Sequence, residues 1–296
     1  MKVSLKDIIR KLRKYEVRIR KAVHSHMHGN YHSIFKGSGI EFSDLREYQY
    51  GDDIRTIDWN VTAKGHGSYI RLFQEDKEQH IIFLVDVSAS LDIGKDNQTK
   101  LDIIKEITGV LMLSAVKEGS EVGLVCYSDK KELYVAPNKG VKHAYFLINK
   151  LFSLETESKL TDLNKATHYT LSILKRKSIV IVLSDFIDEN YDKNLTSLSK
   201  KHDLVLIQIQ DTREMNFPSM GIIPLLDTET NKTIWVNSSS STFRNKMQKR
   251  LQATQEKLET FSKSNESNYT CIKTNEDYII KLVELFRVRN FHKKSA

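Results

Sequence analysis

His80-Ile-Ile-Phe-Leu-Val-Asp86-Val-Ser88-Ala-Ser90 is the stretch on which the fold turns. Its apolar run has no polar alternation, so it suits a strand covered on both faces, as strands of parallel sheets are. The run stops at an acid and a hydroxyl-rich turn, where open α/β sheets place their ligands. Ser178-Ile-Val-Ile-Val-Leu-Ser-Asp185 repeats the pattern, giving a second buried strand that ends in aspartate.

Working outward, residues 97–118 carry Leu101, Ile103, Ile104, Ile107, Val110, Leu111 and Leu113 at helical spacing. Strands are expected at Glu121–Tyr127 and Glu132–Ala136, then helices at Lys142–Phe152 and from Thr161 to Lys175. After the Ser178 strand come a short helix near Tyr191–Lys200 and a strand at Asp203–Gln210. Strands alternating with helices of this length make βαβ units, so the expected fold is α/β: a doubly wound, mostly parallel, Rossmann-type sheet with helices on both faces. Two strand-like pieces between Gly221 and Val236 read as a hairpin around Asp227–Lys232. Ser238–Ser241 can cap a polar helix from Phe243 to Phe261. A strand at Tyr269–Ile272 and a helix from Glu276 to Val288 complete the pattern.

Upstream, Leu5, Ile8, Ile9, Leu12, Tyr15, Val17 and Ile19 mark a helix over 3–23 with one apolar stripe, expected to pack on the main domain. Residues 29–67 are rich in glycine and aspartate without a sustained period, which predicts turns and short extended pieces. The expected division is therefore 1–76, helix plus loop segment, and 77–296, the sheet domain with a C-terminal helical extension.

The 296 residues are 40% hydrophobic, enough for one substantial core. There is no apolar run of about 18 residues, and the N-terminus is basic and amphipathic with no apolar signal core. Cys126 and Cys271 read as small side chains in a reducing compartment. The expected location is the cytoplasm. Of the formal charge of +8, residues 1–25 hold nine cations against Asp7 and Glu16, a net of +7. That segment suits an anionic contact: an acidic protein face or the headgroups of the inner membrane, as a peripheral contact. With Tyr15 its one aromatic, it offers little for base stacking, so nucleic acid is disfavoured.

The chemistry concentrates at Asp86, Ser88 and Ser90, with Thr161 about 70 residues on and Asp185 beyond it. Oxygen ligands of this kind suit a hard cation, Mg2+ or Mn2+, and leave a coordination position open. Singly, a strand-end aspartate can equally cap a helix, and serines can satisfy local amides. The combination is what singles the site out. Enzyme signatures are missing: position 88 is Ser88 where an Asp-x-Asp phosphotransferase needs an acid, and no phosphate-binding Gly-rich loop or Gly-x-Ser-x-Gly elbow occurs. Catalytic residues are therefore not expected.

The order Asp86-x-Ser88-x-Ser90, Thr161, Asp185 resembles the metal-ion-dependent adhesion site (MIDAS) of von Willebrand factor A domains. Upstream, Gly37-Ser-Gly-Ile-Glu41-Phe-Ser-Asp44-Leu-Arg46-Glu-Tyr48-Gln-Tyr-Gly51-Asp-Asp-Ile-Arg55-Thr-Ile-Asp58-Trp59 is similar to the signature of the bacterial family catalogued as domain of unknown function 58. The resemblance covers roughly residues 31–210. It implies a von Willebrand factor A-like fold, a bound Mg2+ and a protein partner that can supply an acid to the open metal position. Genes of that family commonly neighbour those of MoxR-type AAA+ ATPases and other von Willebrand A proteins, so the implied role is a MoxR-associated, non-enzymatic interaction module. Relatives carry Gly before the Thr, whereas Lys159-Leu160 precede Thr161 here, which leaves Thr156 as the alternative hydroxyl.

Two clusters remain. In the Glu41–Trp59 block, arginine forks facing carboxylates and Trp59 as an aromatic anchor are expected to lock a folded loop to the domain. His24, His26, His28 and His32 lack the cysteine partners of a typical zinc site and read as a solvated cluster.

Overall fold

The structure, a computed structural model, describes residues 6–13, 17, 40–50, 52–63, 67–75, 79–95, 98–215, 219–227 and 232–285. The four histidines between 24 and 32 lie outside these residues, as does the end of the last expected helix. Helix α1 covers 6–13. A small unit, Phe35–Gln79, follows, with strand β1 (Ile40–Glu47), a 3-10 turn (Ile54–Thr56), the one-turn helix α2 (Trp59–Thr62) and strand β2 (Tyr69–Glu75).

The main unit resumes at His80. Its strands are β3 (His80–Asp86), the short pair β4 (Gly94–Lys95) and β5 (Gln98–Thr99), then β6 (Glu121–Tyr127), β7 (Lys131–Asn138), β8 (Ile179–Ser184) and β9 (Asp203–Gln210). β10 (Ile222–Asp227) and β11 (Lys232–Asn237) form the expected hairpin, and β12 (Asn268–Lys273) is the last strand. Its helices are α3 (Lys100–Lys117), α4 (Val141–Phe152), α5 (Leu163–Ile173), α6 (Asp192–Lys201), α7 (Thr212–Met215), α8 (Ser241–Ser264) and α9 over 278–285.

Six strands form the central sheet in the order β12-β9-β8-β3-β6-β7. All neighbours are parallel except β6 and β7. β3 lies inside, between β6 and β8, and Ile81 through Val85 are fully buried, as an uninterrupted apolar strand requires. The chain leaves β3 toward β6 and later returns on its other side as β8. The winding direction therefore reverses at β3, and the crevice that results opens at the ends of β3 and β8.

Helix boundaries depart from the sequence reading at two places that bear on function. The helix expected from Asn97 starts at Lys100, because Gly94 and Thr99 close a tight hairpin first. A Cβ on Gly94, at φ +157, would lie 2.3 Å from the Thr99 Cα. Thr99 then caps α3 in a reciprocal box with Asp102: each side chain accepts from the other's backbone amide at 3.1 Å. The helix expected to open at Thr161 begins at Leu163, since the Asp162 carboxylate accepts the Lys165 amide at 2.7 Å and becomes the cap.

Helix α1 packs on the main unit, as its apolar stripe predicts. Leu12 is fully buried against Gly109 of α3, where an added Cβ would come within 2.8 Å of the leucine methyl. Lys11 pairs with Glu106, and Arg13 bonds the Tyr145 hydroxyl with its guanidinium over the ring. Two cations of the basic segment are thus engaged by the sheet domain. The chain accordingly divides differently from the expected boundary at 76/77: 1–34 cluster with 80–296, and 35–79 stand as their own unit. Leu12→Ala is expected to cost about 2–5 kcal/mol, the usual range for emptying a buried leucine site, read as a lowered denaturant midpoint.

In the small unit β1 and β2 pair antiparallel, with a bulge between Phe42 and Asp44. Arg46 grips Asp52 with two bonds of 2.8 and 2.7 Å, holding that carboxyl below its usual range, and Asp52 also accepts the Gln49 amide. The expected Trp59 anchor is a correction: the indole is 64% exposed. Polar bonds hold its turn instead, from the Val61 amide to Asp58, from Asp58 N to the Tyr69 carbonyl and from Tyr69 N to the Thr62 hydroxyl. Trp59→Ala should shift stability by no more than about 0.5 kcal/mol, as exposed sites usually do, measured by urea denaturation.

Candidate functional site

Asp86 ends β3 and Asp185 directly follows β8, so two neighbouring parallel strands deliver both acids to the same edge of the sheet. Asp86 is fully buried. One of its oxygens accepts the Ser88 amide at 2.9 Å, which curls the Asp-x-Ser turn, and the other accepts the Ser184 hydroxyl at 2.7 Å. Ser88 and Ser90 bring their hydroxyls within 3.0 Å of each other; Ser88 is buried and Ser90 only partly so. The turn thus runs from a dry carboxylate to a hydroxyl at the surface.

Asp185 is also buried. Its carboxylate accepts the Ile187 amide at 3.1 Å and the Lys100 ammonium at 2.8 Å, and its carbonyl accepts from the Gln208 amide group. Phe186, the next residue, has φ +57, a left-handed conformation costing of order 1–3 kcal/mol for a bulky side chain. Lys100, with no exposed surface, also donates to Glu214 of α7 at 2.8 Å. Glu214 accepts the Asp211 amide with its other oxygen.

Thr161 lies in the loop before α5, half-buried, and its neighbours bind that loop to the site: Lys159 O accepts the Ala89 amide and Ser128 O accepts the Asp162 amide. Thr156 is exposed and lines a cavity of about 120 Å³ with Val87, Ala89, Asp92, Leu101 and Lys105, beside the hydroxyl turn and apart from both acids. The structure therefore brings Asp86, Ser88 and Ser90 together with Asp185 across one strand gap, and sets Thr161 on the adjoining loop.

The electrostatics follow from burial. Desolvation and then the Asp185 charge push the Asp86 carboxyl up to about 7, against the pull of the Ser88 and Ser184 bonds. Burial alone would lower the Lys100 ammonium, yet Asp185 and Glu214 outweigh it and its pKa rises. Among the described residues no group of three His, Cys, Asp or Glu side chains could hold a metal, so a cation here must draw on hydroxyl oxygens as well. The oxygens of Asp86, Ser88 and Ser90, with Asp185 behind them, are a hard donor set that fits Mg2+ or Mn2+.

Sequence reading missed Lys100, Ser184, Gln208 and Glu214. One signal was there: a lysine in the first turn of α3 opposes the helix dipole, which favours acids at that end.

The profile of the family described as Protein of unknown function DUF58 matches residues 44–257. The chain belongs to that family. In this DUF58 protein the match runs from Asp44 to Lys257, taking in the Arg46–Asp52 grip as well as Asp86, Ser88, Ser90, Thr161 and Asp185. Uncharacterized proteins of Mycobacterium bovis and Mycobacterium tuberculosis are each 25% identical over 222 residues, 74% of this chain and 70% of theirs. Among solved structures, BatB from Bacteroides thetaiotaomicron is 12% identical with a TM-score of 0.43, covering 72% of this chain and 98% of its own. The VWA domain of SpRpn10 is 11% identical with a TM-score of 0.39, covering 70% and 94%. The central sheet of the DUF58 chain is mostly parallel, with one antiparallel edge strand. Among its described residues no helix is long and apolar enough to cross a membrane.

The raised Asp86 pKa fixes the sign of a pH effect. Because the fold holds the proton more tightly than the unfolded chain does, this group's contribution to stability falls as pH rises from about 4 toward about 7 and levels off above. In chelator, melting temperatures measured from pH 5 to 8 should therefore decline over that window more steeply for the natural chain than for Asp86→Asn, which cannot titrate.

Proposed function

We propose that this protein is a non-enzymatic interaction module whose MIDAS-like site holds one Mg2+ or Mn2+ on Asp86, Ser88 and Ser90, with Asp185 and a hydroxyl of Thr161 or Thr156 completing the shell. The observation that carries the reading is the Asp86 carboxylate itself: buried, ending the central strand at the winding reversal, with two serine hydroxyls beside it. A carboxylate in that position is stabilised by a cation. Ser90 leads outward to solvent, so a position facing the surface remains for an acidic side chain of a partner protein. When bound, the ion would supply Lewis acidity toward that acid. The protein's residues fix the ion, exclude water from Asp86 and shape the rim.

A binding role fits better than turnover, because the serines of this turn sit in neither a Gly-x-Ser-x-Gly elbow nor a phosphate-binding Gly-rich loop. The partner we infer is a MoxR-type AAA+ ATPase, or another von Willebrand A protein, in a chaperone-like or stress-related assembly in the cytoplasm; the support is the family signature at 37–59 and the site. Titration calorimetry should show one Mn2+ or Mg2+ per chain, with affinity reduced at least about tenfold in Asp86→Asn, the scale of losing one charged ligand. Affinity capture with the full chain should recover the ATPase in Mg2+ and lose it in chelator. Equal ion binding by both chains would sink the metal; capture insensitive to chelator would detach the partner from it.

A further inference from the structure

We infer that Lys100 sets the charge of the ion this site accepts, by cancelling one of its buried carboxylates; the inference rests on the metal reading proposed above. Among the described residues, Asp86, Asp185 and Glu214 form the buried acids of the site, and Lys100, fully buried, touches two of them at 2.8 Å. With all three ionised, as they are when an ion is bound, three negative charges against one positive leave −2. Asp211, the next buried acid, has its own cation in Arg213 at 3.7 Å and its own donor in the Thr274 hydroxyl. The residual charge matches a divalent cation.

Lys100 is poorly placed for stability alone. It occupies the first turn of α3, where the helix dipole repels cations, and burial by itself works against its charged form. Only the two carboxylates keep it charged. Those carboxylates come from two different elements, Asp185 after β8 and Glu214 on α7, so the ammonium also ties Asp185 in place before any ion arrives. Lys100 is thus a positioning residue with an electrostatic output: it lowers the attraction the site exerts on any cation, and it does so most strongly for the highest charge. A trivalent ion loses more than a divalent one.

The test is a charge series in the full chain: Lys100→Met (net −3), Glu214→Gln (net −1) and the double variant (net −2). The probes are Mn2+, by titration calorimetry, and Tb3+, by luminescence. Lys100→Met should bind both ions more tightly and shift the ratio of affinities toward Tb3+ by about tenfold, the scale of one charge acting through a partly shielded interior. Glu214→Gln should shift the ratio the other way, and the double variant should return it to that of the natural chain. A purely structural lysine would weaken both ions together in Lys100→Met with the ratio unchanged, which would overturn the inference. If Lys100→Met fails to fold, Glu214→Gln against the double variant decides: equal ratios overturn it, and a ratio displaced toward Mn2+ in Glu214→Gln but restored in the double variant supports it. A natural chain that binds neither ion would overturn the metal reading along with this one, whereas a natural chain that binds Mn2+ with a flat ratio across the series overturns this one alone.

Discussion

A carboxylate at the end of a strand with no exposed face cannot be hydrated, and Asp86 is in that position. β3 is flanked by β6 and β8 and covered by helices, so the chain delivers a potential charge into a dry edge of the sheet. Everything local answers that constraint: the Ser88 amide curls back to one oxygen, Ser184 donates to the other, and the carboxyl still shifts far toward its protonated form. Uncompensated burial of this kind is costly, which is why strongly shifted groups gather where proteins do chemistry or bind.

The same constraint ties distant parts of the chain together. Asp185 would repel Asp86 across the strand gap, and Lys100 answers Asp185 and Glu214 at once. α3, which carries that lysine in its first turn, also receives Leu12 at Gly109 and Lys11 at Glu106. Site and N-terminal helix thus share one element. In the small unit the described residues show the Arg46–Asp52 grip and the capping bonds at Asp58 and Thr62.

How much of this was legible in the sequence depended on the range of the interaction. β3 and β8 could be read because apolar runs report burial residue by residue, and their terminal acids follow from the same strings. The Asp86-Ser88-Ser90 turn is local and was readable for that reason. The starts of α3 and α5 moved by a few residues, because Gly94 closed a hairpin and Asp162 outcompeted Thr161 as a cap. The pairings of Lys100 were not legible, although its place in the first turn of a helix was odd: its partners are 85 and 114 residues away, and no periodicity records a pairing at that distance. Trp59 was misjudged because a large aromatic in a charged loop suggests an anchor, and the polar bonds at Asp58 and Thr62 that replace it involve main-chain groups common to every residue.

The placement of β3 also dictates a timetable. During synthesis β3 emerges with α3 and β6, and these can pair at once, but its other edge waits for β8, whose first residue lies about 93 positions beyond Asp86. At ribosomal speeds of about 5–20 residues per second, that edge stays open for roughly 5–20 seconds, with an apolar strand exposed to any other chain nearby. β12 then joins β9 only near the end of translation. The central position that makes Asp86 dry in the finished protein makes the nascent chain sticky, so heterologous expression should gain more from added chaperone than from any change to the surface of the folded molecule.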